Sequence, residues 1–378
     1  QKLTIMHIDA DNKRFQDFIE ETEKKLDMEI TVEKCPSNAD NRQAKISTIL
    51  ASGDKNIDLI SVNDEMISEF KHKGYLEPLE KNVMTEEVRD SFPQKYLESI
   101  CEENGHIYSV PFQMDIMMFW VNQELLKQAG LDEIKNTGDF DILQKSLKNP
   151  DQYAYGDAWE NTHVYNSLSQ FVNFWGGDYF DWTDPKTKDA ARYMKSMLDE
   201  KNTSPAQFVD QYEQMEEKFI RGKYGCVFMY TSALGTFLDA DVYGKNKIHM
   251  APLPVLHKKK ATNIATWQYV LNNASENKDA AVRFLQYAAG YEGSTEYAKI
   301  MKSYPARVDV IENEDIDLEG IDMIRKYLRE YTLNARPLCE NSMGAVSDMG
   351  KLFQGYVLGQ CEEDSFFEQA QNCINTYY

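Results

Sequence analysis

The sequence predicts an α/β protein of two or three domains, and three observations support that reading. The chain has 378 residues, more than one hydrophobic core ordinarily fills at roughly 150 residues per domain. Its first 110 residues alternate short β-prone runs with single amphipathic helices, the order that gives a parallel sheet covered on both faces. Hydrophobic residues make up 42% and charged residues 27%, and no run approaches the ~18 apolar residues that span a bilayer.

The elements follow from periodicity. Leu3–Ile8 is a short strand, and Phe15, Phe18, Ile19 and Leu26 recur at helical spacing behind it. Met28–Val32 reads as a second strand and Ile57–Val62 as a third. The helix between them, Ala44–Leu50, has Ile46, Ile49 and Leu50 on one face. Ligands of such sheets sit beyond the carboxyl ends of the strands, which singles out 7–11 and 61–65. The run 107–119 is extended with Pro111 in its middle, and Glu124–Ala129 is a helix stopped by Gly130. The stretch 153–179 is rich in aromatics. Helices are expected over 189–198, 212–220 and 278–289, and strands over 226–230 and 266–271. The segment 248–255 is extended, with Pro252 and Pro254 marking an edge or crossover. The last third is mostly helical. No internal repeat or low-complexity linker occurs.

Composition and motifs exclude several functions. Lys plus Arg is 41 and Asp plus Glu is 62, so the net charge is −21, which argues against general nucleic-acid binding. That charge suits a neutral or cationic ligand. Six cysteines without any C-x-x-C pair give no zinc or redox signature and read as buried thiols. No G-x-G-x-x-G, P-loop, G-x-S-x-G or H-E-x-x-H occurs, and the six histidines are scattered. Asp9 and Asp11 open like a calcium loop, but Lys13 and Arg14 stand where that loop needs an oxygen ligand and a glycine. No metal and no cofactor is expected. No signal peptide precedes Leu3–Ile8, which fits a cytoplasmic protein or one whose leader has been removed.

Six segments, in order, resemble one family. Gly105-His-Ile-Tyr-Ser-Val-Pro111, running through Asn122 to Leu125-Leu-Lys-Gln-Ala-Gly-Leu131, resembles the "G-x-x-Y-x-x-P … Y-N-K-x-L-x-x-A-G-L" block of family 1 extracellular solute-binding proteins. Gly176-Gly177, Phe219-Ile-Arg-Gly222-Lys with Cys226–Tyr230, Ala251-Pro252-Leu-Pro254, Asn277–Leu285 and Tyr304-Pro305-Ala-Arg307 resemble its later motifs. The segment 136–150 departs from the family, reading Lys-Asn-Thr-Gly-Asp-Phe where a "P-x-T-W-x-E" helix start is usual.

The resemblance implies a two-lobed periplasmic-binding-protein-like fold of type II. Each lobe is a mixed sheet flanked by helices, with a ligand cleft between lobes that close by hinge motion. The lobes are expected over 1–112 with 268–304 and over 113–267 with 305–378, with crossings near 110–115, 265–271 and 304–308. Asn63 and Asp64 match the first-lobe ligand loop, although Asn63 could equally cap the following helix. Asp115 matches a ligand-facing acid, a good acceptor for two hydroxyls, or else makes a hinge bond. Asp9 is a further candidate that could equally be solvated surface. Trp159, Trp175 and Trp267 are candidate stacking platforms for sugar rings, each weighed against a core role, while Trp120 reads as core. Tyr230, Ser232 and Arg307 complete the set; Arg307 could equally pair with an acid at the lobe seam.

The resemblance thus implies a monomeric binder, not an enzyme, that captures a carbohydrate, most plausibly an oligosaccharide. It would hand this to the permease of an ATP-driven ABC transporter. It would sit outside the cytoplasmic membrane, as a lipoprotein or free in a periplasm, touching membrane only through a lipid anchor or the permease. Other ligands within the fold are a polyamine or another small polar solute. A glycan-processing hydrolase using two carboxylates is the alternative from another class.

Overall fold

The computed structural model describes residues 1–378, and their contacts divide the chain into two compact units, Gln1–Met114 with Ala265–Ile321 and Asp115–Ile264 with Asp322–Tyr378.

The first unit begins with β1 (Lys2–His7), α1 (Lys13–Leu26), β2 (Glu29–Lys34), α2 (Ala39–Ser52), β3 (Leu59–Val62) and α3 (Asp64–Phe70). β1 pairs in parallel with β2 on one side and with β3 on the other. The alternation produces this order because a parallel neighbour needs a crossover, and each helix provides one. Asn12 starts α1 by accepting the Arg14 N–H, and the helix buries Phe15, Phe18, Ile19 and Thr22, the face its spacing predicts. α2 is longer than the 44–50 expected: Asn38 caps it by accepting the Asn41 N–H, and Gly53, at φ +66°, ends it.

The chain leaves the first unit inside one long strand, β4 (Val110–Asn122), between Met114 and Asp115. The second unit continues with β5 (Tyr153–Gly156), α4 (Val164–Trp175), α5 (Tyr212–Ile220), β6 (Tyr224–Tyr230), α6 (Ala233–Asp239), β7 (Ile248–Ala251) and β8 (Ala261–Leu271). β4 is antiparallel to β6, with Met117 opposite Tyr230, and to β7, while β5 and β6 are parallel. β9 (Thr332–Ala335) adds in parallel to the first residues of β8. α7 (Ser342–Val357) and α8 (Glu363–Tyr377) complete the helical end of the chain.

β8 returns to the first unit between Ile264 and Ala265. There it runs antiparallel to β3, with Gln268 opposite Val62 and Leu271 opposite Leu59, so the first sheet is mixed and not purely parallel. The third passage falls between Ile321 and Asp322, beyond the 304–308 expected. Residues 304–307 stay in the first unit because they are stitched to it. Met114 N–H donates to Tyr304 O at 3.0 Å, and Ala306 N–H to Phe112 O at 3.3 Å.

Two local features escaped the pattern. The aromatic stretch contains α4, whose residues are buried on every face except Asn173. Its buried polar groups are satisfied inside the unit: Gln170 Nε2 donates to Ala261 O at 2.9 Å and its Oε1 accepts Asn263 N–H at 2.9 Å. Gly176, at φ +73°, ends the helix, and a Cβ on Gly177 would lie 2.7 Å from the Thr187 nitrogen, so the double glycine is a packing requirement. The departing segment 136–150 still forms a helix, Thr137–Ser146, because Asn136 accepts the Asp139 N–H. Trp120 is fully buried, as expected, and donates to Met229 O at 2.7 Å.

Candidate functional site

In the first unit the carboxyl ends of β1 and β3 hold Asp9, Asn63 and Asp64, with β8 alongside. His7, the last residue of β1, is fully buried and stacks on Phe15 at 3.8 Å between ring centroids. Burial pushes its pKa down to about 3. Its Nδ1 accepts the Asp9 N–H at 3.0 Å, fixing the turn that presents the Asp9 carboxylate. Burial also raises the Asp9 pKa. Asn63 does what its alternative reading requires: its Oδ1 accepts Met66 N–H at 3.2 Å and caps α3.

Asp64 is buried completely. Its Oδ1 accepts the Tyr96 hydroxyl and, at 3.1 Å, the Thr266 N–H. The Tyr96 oxygen in turn accepts Thr266 Oγ1–H at 2.7 Å and Gln268 Nε2–H at 2.8 Å. Gln268 Oε1 takes the Ser109 hydroxyl and, at 3.3 Å, the Cys101 thiol, whose pKa burial pushes up to about 12. This network welds α3 to β8, so Asp64 locks the strand that carries Trp267. Trp267 itself is only half-buried, and the Arg42 guanidinium carbon lies 5.3 Å from its ring centroid.

Arg307 takes a structural place in the same unit. It grips Asp309 with Nε at 2.9 Å and Nη2 at 2.7 Å, and gives Nη1 to Ala289 O at 2.9 Å. Nη2 also reaches Ser91 Oγ at 3.0 Å. With its fork engaged in this way, Arg307 is corrected from ligand residue to internal brace.

In the second unit Asp115 follows the passage along β4. Its Oδ1 accepts the Thr231 hydroxyl at 2.5 Å and the Ser232 N–H at 3.0 Å, tying β4 to the start of α6. Burial raises its pKa against these bonds and the opposing field of Arg336. Ser232 is exposed. Tyr230 donates to Asn166 Oδ1 at 2.9 Å, and the Arg336 guanidinium lies 5.9 Å from the Tyr230 ring centroid. Arg336 Nη1 donates to the Tyr165 hydroxyl at 2.8 Å. Tyr212 stands edge-on to Tyr230 at 6.1 Å, with a buried hydroxyl that has no partner.

Two tryptophans belong to the packed interior of this unit. Trp159 is fully buried, edge-on to Phe208 at 5.5 Å and to Phe353 at 5.4 Å, and its carbonyl accepts Gln354 Nε2–H. Trp175 is 5% exposed, stacked flat on His257 at 5.0 Å and tilted against Tyr193 at 4.9 Å. Both are corrected to core. The sequence reading missed Arg42, Tyr165, Tyr212 and Arg336. Nothing local marks them, because each matters only through a neighbour far along the chain. All six cysteines are free, and no group of three or more His, Cys, Asp or Glu is placed to hold a metal.

The family model described as bacterial extracellular solute-binding protein matches residues 9–295. A Sinorhizobium fredii protein named "Probable amino-acid ABC transporter periplasmic-binding protein" is 24% identical over 239 residues, 60% of this chain and 54% of its own length. The chain spans about half the length of the curated relatives it matches. Among solved structures, the cyclic α-maltosyl-1,6-maltose binding protein of Arthrobacter globiformis matches with a TM-score of 0.83 at 16% identity, covering 100% of this chain and 98% of its own. The sugar-binding protein MalE of Xanthomonas citri gives 0.82 at 16% identity, covering 100% and 97%. An ABC transporter solute-binding protein of Thermotoga lettingae, bound with α-D-tagatose, gives 0.79 at 18% identity, covering 99% and 98%. At these identities the likeness is one of fold.

Proposed function

Because the chain belongs to the bacterial extracellular solute-binding protein family, we propose that it captures a carbohydrate outside the cytoplasmic membrane and delivers it to an ABC transporter permease. The observation that carries this reading is the half-buried Trp267 on a strand locked by Asp64, Tyr96 and Gln268. An indole face presented on a rigid strand stacks well on the C–H face of a sugar ring. Asp115, Ser232 and Asp9 offer acceptors and a donor for hydroxyls, and the Arg336–Tyr165–Tyr230 group adds a second aromatic surface. Three structural neighbours carry sugars in their descriptions, which favours the same ligand class here.

In this reading ligand hydroxyls exchange water for fixed hydrogen bonds, the two units close by hinge motion, and no bond is made or broken. The protein acts as a monomer, lipid-tethered at the cell surface or free in a periplasm, and its only macromolecular partner is the permease.

The relative named for amino-acid transport favours a second reading, a small charged solute such as an amino acid or polyamine. A thermal-shift screen across mono- and oligosaccharides, amino acids and polyamines tests both. A ligand at 100 times its dissociation constant adds ~2.7 kcal/mol of stability. Stabilisation by a saccharide without product supports the proposal. Stabilisation only by amino acids or polyamines replaces the ligand class, and turnover of a glycan would make the protein a hydrolase.

A further inference from the structure

We infer that Arg42 and Trp267 form a subsite for a carboxylate-bearing sugar residue, such as a uronic acid. This rests on the carbohydrate reading and narrows its ligand class. Arg42 lies on α2 and is 6% exposed. Nη1 donates to Ser37 O at 3.0 Å and to Pro36 O at 3.4 Å, which fixes the plane of the guanidinium. Nε is buried and has no partner, and Nη2 makes no hydrogen bond within the chain. The unused edge is therefore the Nε–Nη2 edge, whose two parallel N–H groups match the two oxygens of a carboxylate.

No carboxylate of the protein fills that place. Glu65 touches Arg42 only through its field and forms no ion pair with it. Lys45, one turn further along α2 and exposed, adds its own positive field beside Cys35 and is not in an ion pair either. In a chain where acids outnumber bases 62 to 41, most cations have a carboxylate within reach, so two unpaired ones on neighbouring turns are a local departure. A buried guanidinium stays charged, and burial without a counter-charge is costly. A functional demand explains why that cost is retained, and an anionic ligand group removes it.

Trp267 supplies the other half. Arg42 covers part of the indole at 5.3 Å, and the ring keeps part of its surface exposed. A pyranose stacked on that exposed surface brings a ring carboxylate next to the guanidinium. A neutral sugar would gain the stacking but would leave the cation uncompensated.

Calorimetric titration of the full chain tests this with D-glucuronate, D-galacturonate and their disaccharides against glucose, galactose and matched neutral disaccharides. The acids are expected to bind at least tenfold tighter at low salt and to weaken as salt rises, since screening acts on the charge pair. Arg42→Gln should bring the acid-to-neutral ratio close to one, and Arg42→Lys, which keeps the charge but not the fork, should retain part of it. Neutral sugars bound as tightly as uronates, or selectivity that survives Arg42→Gln, overturn the inference while leaving the carbohydrate reading intact. A protein that binds no saccharide of either kind overturns both. Should Arg42→Gln fail to fold, the wild-type ratio, its salt dependence and Arg42→Lys still decide.

Discussion

Thr231 donates its hydroxyl to Asp115 at 2.5 Å, and through that one bond the middle of β4 is fastened to the loop that starts α6. The same Oδ1 takes the Ser232 N–H, and Thr231 Oγ1 in turn accepts the Ile116 N–H at 3.2 Å. The first residue of β4 inside the second unit is thus held from both sides.

Replacing Asp115 separates the carboxylate's acceptor role from its charge. Asp115→Ala strands the Thr231 hydroxyl and the Ser232 amide and should cost ~1–3 kcal/mol. Asp115→Asn keeps an acceptor oxygen and should stay close to wild type. The Asp115 pKa is raised, so the folded state holds the proton more tightly. Its contribution is complete below the ordinary carboxylate range and is lost as pH rises through the folded pKa. Asn should remove that loss and melt higher than wild type at pH 7. Thermal unfolding at pH 4 and pH 7 checks it; Asn as damaging as Ala would show that the bond needs the charge.

Glu216, on α5, gives a clearer pH signature. Burial, helped by the negative fields of Glu213 and Asp115, pushes its pKa up to about 7. The folded state again favours the protonated form, so stability is full below about pH 4.5 and falls as pH rises through 7. Half-burial lets water screen the charge, so Glu216→Gln should gain only about 1–2 kcal/mol over wild type at pH 8 and little at pH 4. Denaturant melts across that range measure it, and parallel pH profiles for the two proteins would sink the assignment.

His7 has the opposite sign. Its pKa is depressed to about 3 by burial, so the unfolded chain binds the proton first, near pH 6.5. Its contribution is complete above pH 6.5 and is lost progressively as pH falls towards 3. NMR of ring nitrogens should show His7 neutral at pH 5, with Nδ1 unprotonated where it accepts the Asp9 N–H at 3.0 Å. A His7 resonance that titrates near 6.5 in the folded protein would contradict this packing.

How much was legible depended on how far apart the partners lie. Local periodicity placed α1, α3 and α5 and the three parallel strands, because a burial stripe or a cap is written within a few residues. The role of Asp64 was not legible. Its position after β3 marked a ligand loop, but Tyr96 lies 32 residues away and Thr266 lies 202 away. Arg307 shows the same limit: its motif was plain, yet Ser91, 216 residues away, helps to occupy it. The third passage between units was misplaced for a related reason, since only the pairing of 304–306 with β4 keeps that segment in the first unit.

Trp159 and Trp267 are the sharpest contrast, two tryptophans with equal claims in sequence and opposite surroundings in the fold. Trp159 is fully buried between Phe208 and Phe353, so Trp159→Ala leaves a cavity and should cost ~3–5 kcal/mol, while the folded fraction keeps its ligand affinity. Trp267 is half-buried with Arg42 against its ring, so Trp267→Ala should cost far less stability. Stacking beyond burial is worth ~0.5–1.5 kcal/mol and the lost apolar contact adds to it. The loss in affinity should therefore reach at least about tenfold, ~1.4 kcal/mol. Melting without ligand and calorimetry with the best saccharide separate the two effects. If Trp267→Ala melts as early as Trp159→Ala while its folded fraction binds normally, then the indole on β8 is structural and the binding surface must be sought elsewhere on the first unit.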